Sequence, residues 1–353
     1  MPKKVGNVEI HMGPQQVGAP DDLEGAIVGF IKGAKKRLDI AVQELDSVKI
    51  AREIVEARMR GVSVRLVTEM NYLRAAKPAT DPFAPLGQHE VNRQIQNTIL
   101  RSAIPVYSDF NPGIFHQKFI IRDGSAVLTG STNFTDTGTS ANLNHLIIVH
   151  DRKVANTYGK EFREIRQGRF GRQSEGLGAA PREVQVGNVP IKILFAPDHN
   201  PEMEIMKQMA KAKKRIDFAV FTFAKSSGID DVMVQVFKAG TSIRGVFDGL
   251  QAGQKWAATK LLNAAGIPAF VVRKGAGGVR KLHHKLMVLD EQVIIAGSFN
   301  YTRPANLTND ENILVIGDLD TTSAAVRKAQ TRLAKYALDE IDRIVADHAA
   351  PLQ

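Results

Sequence analysis

The chain has no cysteine among its 353 residues. That removes disulfides, thiolate nucleophiles and zinc sites built on sulfur, and leaves the redox compartment open. It has one tryptophan, and aromatic residues make up 6% of the whole. This is too little for a base-stacking platform, although Tyr72, Phe110, Trp256 and Tyr301 are candidates for single ring contacts. No apolar run approaches the roughly 18 residues a membrane span needs, so no stable membrane insertion is expected. The opening MPKKVGNVEIHMG puts no apolar core behind its two lysines, which is not the pattern of a signal peptide. A cytoplasmic protein is the expectation. Asp, Glu and His are not spaced as a regular ligand set, so neither a metal nor another cofactor is expected.

What is present is a globular composition, 43% hydrophobic and 24% charged. The length is too great for one ordinary core and suggests two compact units. Lysine and arginine number 47 against 37 acidic residues, a formal charge of +10 that attracts polyanions. Polyphosphate, nucleic acid and anionic lipid all satisfy that charge.

The chain repeats itself. Ala34-Lys35-Lys36-Arg37-Leu38-Asp39-Ile40-Ala41-Val42 returns as Ala212-Lys213-Lys214-Arg215-Ile216-Asp217-Phe218-Ala219-Val220, with seven of nine positions identical. Each copy reads as the basic end of a helix and then a buried strand. A helical stretch follows, residues 48–60 and 229–239, closed by Gly61 or Gly240. Next comes a strand, residues 62–67 and 241–246. Helical periodicity returns at 154–167 and at 321–349. The order in each half predicts an α/β sandwich with a largely parallel sheet. The polar, glycine-rich stretch 171–188 reads as a linker, and the two units are placed at 1–175 and 176–353. A duplicated fold with pseudo-twofold symmetry gathers equivalent residues around one shared cleft, so a single chain acts as its own pseudo-dimer and a monomer can be active.

Late in each half lies the same pattern, HxK(x4)D(x6)GSxN. The first copy holds His116, Lys118, Asp123, Ser131 and Asn133; the second holds His283, Lys285, Asp290, Ser298 and Asn300. Histidine and lysine two apart on a strand face the same way, and the glycine permits a close approach of the backbone to a ligand. His284 falls on the opposite face and is read as a neighbour of the site.

The two motifs resemble the HKD signature of the phospholipase D superfamily, and the resemblance covers nearly the whole chain. It implies two phospholipase D-like α/β/α sandwich lobes with one active-site cleft. It also implies a metal-independent phosphodiesterase working through a phosphohistidine intermediate. One histidine attacks phosphorus, and the other protonates the leaving oxygen and then activates water. By analogy His116 is the nucleophile and His283 the acid. Lys118, Lys285, Asn133 and Asn300 hold the non-bridging oxygens, Ser131 and Ser298 position the site, and Asp123 and Asp290 are structural.

Members of the superfamily commonly carry an acidic residue downstream of GSxN to orient an imidazole. Glu311 lies 28 residues after His283; the same step from His116 reaches Asn144, an amide in place of a carboxylate. The two histidines are therefore expected to differ in basicity. Whether each partner serves its own repeat or the other one is left open. The second motif is preceded by a glycine-rich basic loop with Arg273, Lys274, Arg280 and Lys281, read as guiding a polyanionic substrate. The insertion 71–89 reads as a loop over the cleft. With basic charge, no membrane segment and the character of Nuc-type endonucleases, the reading favours a nuclease, with DNA or RNA as substrate and partner. The alternative is a phospholipase D or phosphatidyl transferase acting on phospholipids. A non-catalytic nucleic-acid scaffold is disfavoured by two complete motifs.

Overall fold

The computed structural model describes residues 2–74, 81, 83, 87–109, 111–174 and 180–352. The expected boundary between 175 and 176 and most of the insertion 71–89 lie outside the described residues, as does Phe110.

Two nine-stranded sheets organise the chain. The first half supplies β1 (Lys3–Val5), β2 (Val8–Gly13), β3 (Arg37–Val42), β4 (Ser63–Thr68), β5 (Val106–Ser108), β6 (Lys118–Arg122), β7 (Ala126–Gly130) and β8 (Asn142–Val149). They run in the order β1-β2-β8-β7-β6-β3-β4-β5. The second half supplies β9 (Arg182–Val186), β10 (Val189–Ala196), β11 (Arg215–Val220), β12 (Ser242–Asp248), β13 (Ala269–Val272), β14 (Lys281–Leu282), β15 (Lys285–Leu289), β16 (Val293–Gly297), β17 (Glu311–Ile316) and β18 (Ala349–Pro351). All but β14 form the second sheet, β18-β13-β12-β11-β15-β16-β17-β10-β9. The same order is thus laid down twice. β14 crosses over and pairs with β8 of the other half.

Among the strands of each half, parallel pairing is found in β3-β4-β5 and β11-β12-β13, and the other strand pairs are antiparallel. The expected largely parallel sheet is therefore corrected to a mixed one. The reason lies in the connections: β6 to β7 and β15 to β16 are joined by tight turns, which force antiparallel neighbours, whereas parallel strands need a long crossover. Helix α1 (Leu23–Lys32), α2 (Val48–Met59) and α3 (Glu90–Arg101) cover the outer face of the first sheet over Leu38, Ile40, Leu66 and Leu128. The remaining helices of that half are α4 (Asp136–Ser140) and α5 (Arg152–Arg166). In the second half α6 (Pro201–Lys211), α7 (Ile229–Lys238), α8 (Gly249–Ala252) and α9 (Thr259–Ala264) precede α10 (Arg303–Leu307) and α11 (Ala324–Asp347). A middle core joins the lobes, where Phe119, Tyr158 and Phe162 meet Phe195, Leu286, Leu333 and Ile341. Helix periodicity at 154–167 and 321–349 corresponds to α5 and α11, which contribute Tyr158 and Leu333 to that core.

The repeated segment and the motif aspartates explain each other. Asp123 has a positive φ in the turn after β6, and its carboxylate accepts from the amides of Lys35, Lys36 and Arg37 at 2.9, 2.7 and 2.8 Å. Asp290 does the same for Lys213, Lys214 and Arg215 at 2.8, 2.8 and 2.9 Å. Each aspartate fastens the start of β3 or β11 to the end of the motif strand, far from the histidine. The motif glycines also serve the fold. A Cβ on Gly130 would collide with the His145 carbonyl, and one on Gly297 with that of Asn312. The close approach expected of them is to a neighbouring strand and not to a ligand.

Candidate active site

The two motif histidines precede β6 and β15, and each is held by the opposite half. His116 donates its backbone amide to the Asp310 carbonyl at 3.0 Å, and His283 donates to that of Leu143 at 2.8 Å. His116 Nδ1 lies 2.7 Å from Glu311 Oε2. His283 Nδ1 lies 2.9 Å from Asn144 Oδ1. The question left open by the sequence has its answer here: the orienting residues are exchanged between lobes. When Glu311 is ionised it can only accept, so Nδ1 of His116 then carries the proton and Nε2 is left with its lone pair. Asn144 donates through Nδ2 to the carbonyls of Gly138 and Asn142, which turns Oδ1 to His283, so Nδ1 of His283 also carries a proton and Nε2 is the nitrogen that can take up or give one. Ser298 donates to Glu311 at 2.6 Å and Ser131 to Asn144 at 2.8 Å, so the serines fix the groups that fix the histidines.

Both lysines are buried, and each donates to the carbonyl of the histidine two residues before it, at 2.7 Å for Lys118 and 2.8 Å for Lys285. Their other neighbours differ. Lys118 donates to Gln43 Oε1 at 2.9 Å, whereas Lys285 sits 5.0 Å from the Phe221 ring centroid. Gln43 and Phe221 are the residues that follow the two copies of the repeated segment. That position was legible as equivalent, but its role was not recognised. The Oδ1 atoms of Asn133 and Asn300 are buried and accept no hydrogen bond among the described residues.

The charges of the site are poised near neutrality. Burial, then Lys118 and Lys285, holds His116 well below the usual imidazole range. Burial, then Lys285, Lys118 and His116 itself, does the same to His283, so the two motifs act on each other. Burial pushes Lys118 down to about 7 against the pull of Glu311, Glu44 and Glu69. Lys285 is also held well below its ordinary value, by burial and by Lys118. Burial raises Glu311 to about 8 in spite of the lysines and Ser298. Glu44, raised to about 7 by burial and Asp46, is a further carboxyl near Lys118 and Lys281 that the sequence did not single out. An arriving phosphate supplies the negative charge this buried set lacks.

Other expected residues fall around this centre. Lys281 lies 5.6 Å from the Phe221 ring centroid, and Phe221 lies 4.9 Å from His283. Arg273, Lys274 and Arg280 are exposed. Tyr72 accepts from Gln43 at 3.2 Å and meets His89, so the two ends of the insertion close beside Lys118. Trp256 is partly exposed, but Tyr301 is packed against Phe223 in the core and offers no ring to a ligand. His284 faces away from the cleft, with Nδ1 3.1 Å from His145 Nδ1 and Nε2 3.6 Å from Glu340. Asp, Glu and His show no regular ligand spacing in the sequence, yet Glu161, Glu164 and Asp198 bring carboxylate oxygens within 4.8 Å of one another. Gln117 links this cluster to the site, donating to Glu161 at 3.4 Å.

The family described as "Cardiolipin synthase, PLD-like domain" matches residues 27–166 and 205–333, one motif in each span. The chain belongs to this phospholipase D-like family. Among curated relatives it is 31% identical over 134 residues to a mitochondrial cardiolipin hydrolase of Xenopus tropicalis, covering 38% of this chain and 56% of the relative. It is 32% identical over 132 residues to a phospholipase D of Rickettsia felis, covering 37% and 58%. The match thus spans little more than half the length of these relatives. The solved structure of phosphatidylserine synthase from Haemophilus influenzae aligns with a TM-score of 0.70 at 13% identity, over 100% of this chain and 89% of that one, and supports the fold. Nuc from Salmonella typhimurium aligns with a TM-score of 0.37 at 24% identity, over 48% of this chain and 96% of that one.

These relatives correct the expected partner. The cardiolipin hydrolase and phospholipase D that match in sequence are named for phospholipids, not for nucleic acid. The nucleic-acid expectation rests on net positive charge, which any polyanion satisfies, on the lack of an apolar span, and on the resemblance to Nuc-type endonucleases. Among the described residues no helix is long and apolar enough to cross a membrane, yet an enzyme acting on lipid needs only to reach a headgroup.

Proposed function

We propose that this phospholipase D-like chain is a phosphodiesterase that hydrolyses the headgroup phosphodiester of a phospholipid. The observation that carries the proposal is the exchanged pair, His116 on Glu311 and His283 on Asn144, flanked by matched lysines and asparagines. His116 Nε2 attacks phosphorus, and the bond to the headgroup oxygen breaks as His283, protonated on Nε2 once the anionic phosphate is bound, delivers that proton to it. The phosphohistidine that results bears positive charge on its ring, which the Glu311 carboxylate offsets and the Asn144 amide would not. His283, now neutral, takes a proton from water; the water oxygen bonds to phosphorus, the P–N bond breaks, and phosphatidate leaves. Lys118, Lys285, Asn133 and Asn300 receive the non-bridging oxygens. The lipid substrate class is favoured by the names of the sequence relatives.

The test is release of phosphatidate from vesicles of phosphatidylcholine, phosphatidylglycerol or cardiolipin in the presence of EDTA. Turnover that survives chelation is expected, because lysines and amides stand where metal enzymes place carboxylates. No phosphatidate from any of the three lipids, or turnover only after magnesium is restored, would overturn the proposal.

A further inference from the structure

The three loops that follow the parallel strands of the second lobe form one basic face beside His283. These are residues 221–228 after β11, 249–258 after β12 and 273–281 after β13. Together they hold Lys225, Lys255, Arg273, Lys274, Arg280 and Lys281, and no acidic residue. The equivalent stretches of the first lobe, 43–47, 69–89 and 109–117, hold Glu44, Asp46, Glu69, Asp81 and Asp109 against Arg74 and Lys77. The corresponding stretches of the two lobes are therefore opposite in formal charge. Amid the basic loops stand Leu250, 57% exposed, and Trp256, 42% exposed.

The loops are fastened to one another. The Asp248 carboxylate accepts from Leu250 and Gln251 at 3.1 and 3.2 Å and, across to the third loop, from Leu282 at 3.1 Å. Gly249 packs so closely on the Val272 carbonyl that a Cβ would stand 2.7 Å from it. Lys225 donates its amide to the Trp256 carbonyl at 3.0 Å. Beneath them Phe221 touches His283. An exposed leucine and indole carried on loops that also bear lysine and arginine suit the boundary between anionic headgroups and acyl chains: the indole takes the interface, and the cations take the surface charge.

We infer that this face of the second lobe docks on an anionic bilayer and sets the cleft over a headgroup. The inference rests on the phospholipid reading of the same site. Trp256 is the sole tryptophan, so its fluorescence reports the contact without labelling. With vesicles of phosphatidylglycerol in phosphatidylcholine, its emission should move to the blue and be quenched by brominated lipid, and with pure phosphatidylcholine it should move little. Leu250→Ser should weaken vesicle affinity roughly tenfold while leaving hydrolysis of the water-soluble bis(p-nitrophenyl) phosphate unchanged. If the protein sediments with anionic vesicles while Trp256 keeps the emission of a hydrated indole, another face binds and the inference fails. It fails equally if no vesicle binding occurs, even where a monomeric short-chain phospholipid is turned over. Quenched, vesicle-bound protein that releases no phosphatidate would uphold the docking face and remove the phospholipid substrate.

Discussion

At the scale of single residues, the site turns on one substitution between repeats: a carboxylate behind His116 and an amide behind His283. Glu311→Gln keeps a hydrogen-bond acceptor but loses the charge that offsets an imidazolium. It should lower kcat roughly 10²- to 10⁴-fold with little change in KM. Asn144→Asp should instead raise the basicity of His283 and move the alkaline limb of the pH profile, where that acid loses its proton, upward, a shift that a merely structural role would not produce. Lys118 gives a second expectation. With its folded value near 7, it is largely uncharged at pH 8, and an arriving phosphate restores its proton. Binding of inorganic phosphate at pH 8 should take up protons, seen by calorimetry in two buffers of different ionisation enthalpy, and kcat/KM should fall as pH rises through about 7. Heats that do not depend on buffer would contradict this. These groups were legible because the motif spacing occurs twice. Gln43, Phe221 and Glu44 were not, because they reach the site through a loop, and loop direction is set by tertiary packing.

At the scale of elements, Asp123 is a staple between the turn after β6 and the start of β3. Asp123→Ala leaves three amides without their acceptor and should cost about 1–3 kcal/mol, read as a lower denaturation midpoint with the folded fraction still active. The three amides outweigh desolvation and hold the carboxyl below its ordinary value. Its contribution is thus complete above the unfolded value and is lost as pH falls through the folded one, so wild type and variant should converge in acid. An unchanged midpoint at neutral pH would refute the role. The helices were legible from their period and their closing glycines. Strand direction was not, since apolar runs such as those of β6 and β16 look alike whichever way their neighbours run.

At the scale of the molecule, the duplication is more than symmetry, because each lobe carries the residue that orients the other lobe's histidine. The sequence showed that there were two copies and one cleft. It did not reveal the exchange, which depends on β14 pairing with β8 and on residues 115 and 310 forming a bridge across the halves. Nor did net charge distinguish one polyanion from another, since a formal +10 says nothing of where the lysines lie. The central claim is that one histidine becomes phosphorylated while the other manages the protons. Phosphatidyl-p-nitrophenol tests it most directly, because its leaving group departs without protonation. In His283→Ala, attack should proceed and water activation should stall. The expected result is a burst of nitrophenolate near one equivalent per enzyme, with the phosphatidyl mass on His116 and no burst in His116→Ala. A burst in His116→Ala with the adduct on His283 would reverse the two roles, and sustained turnover in both variants with no adduct on either histidine would contradict the account.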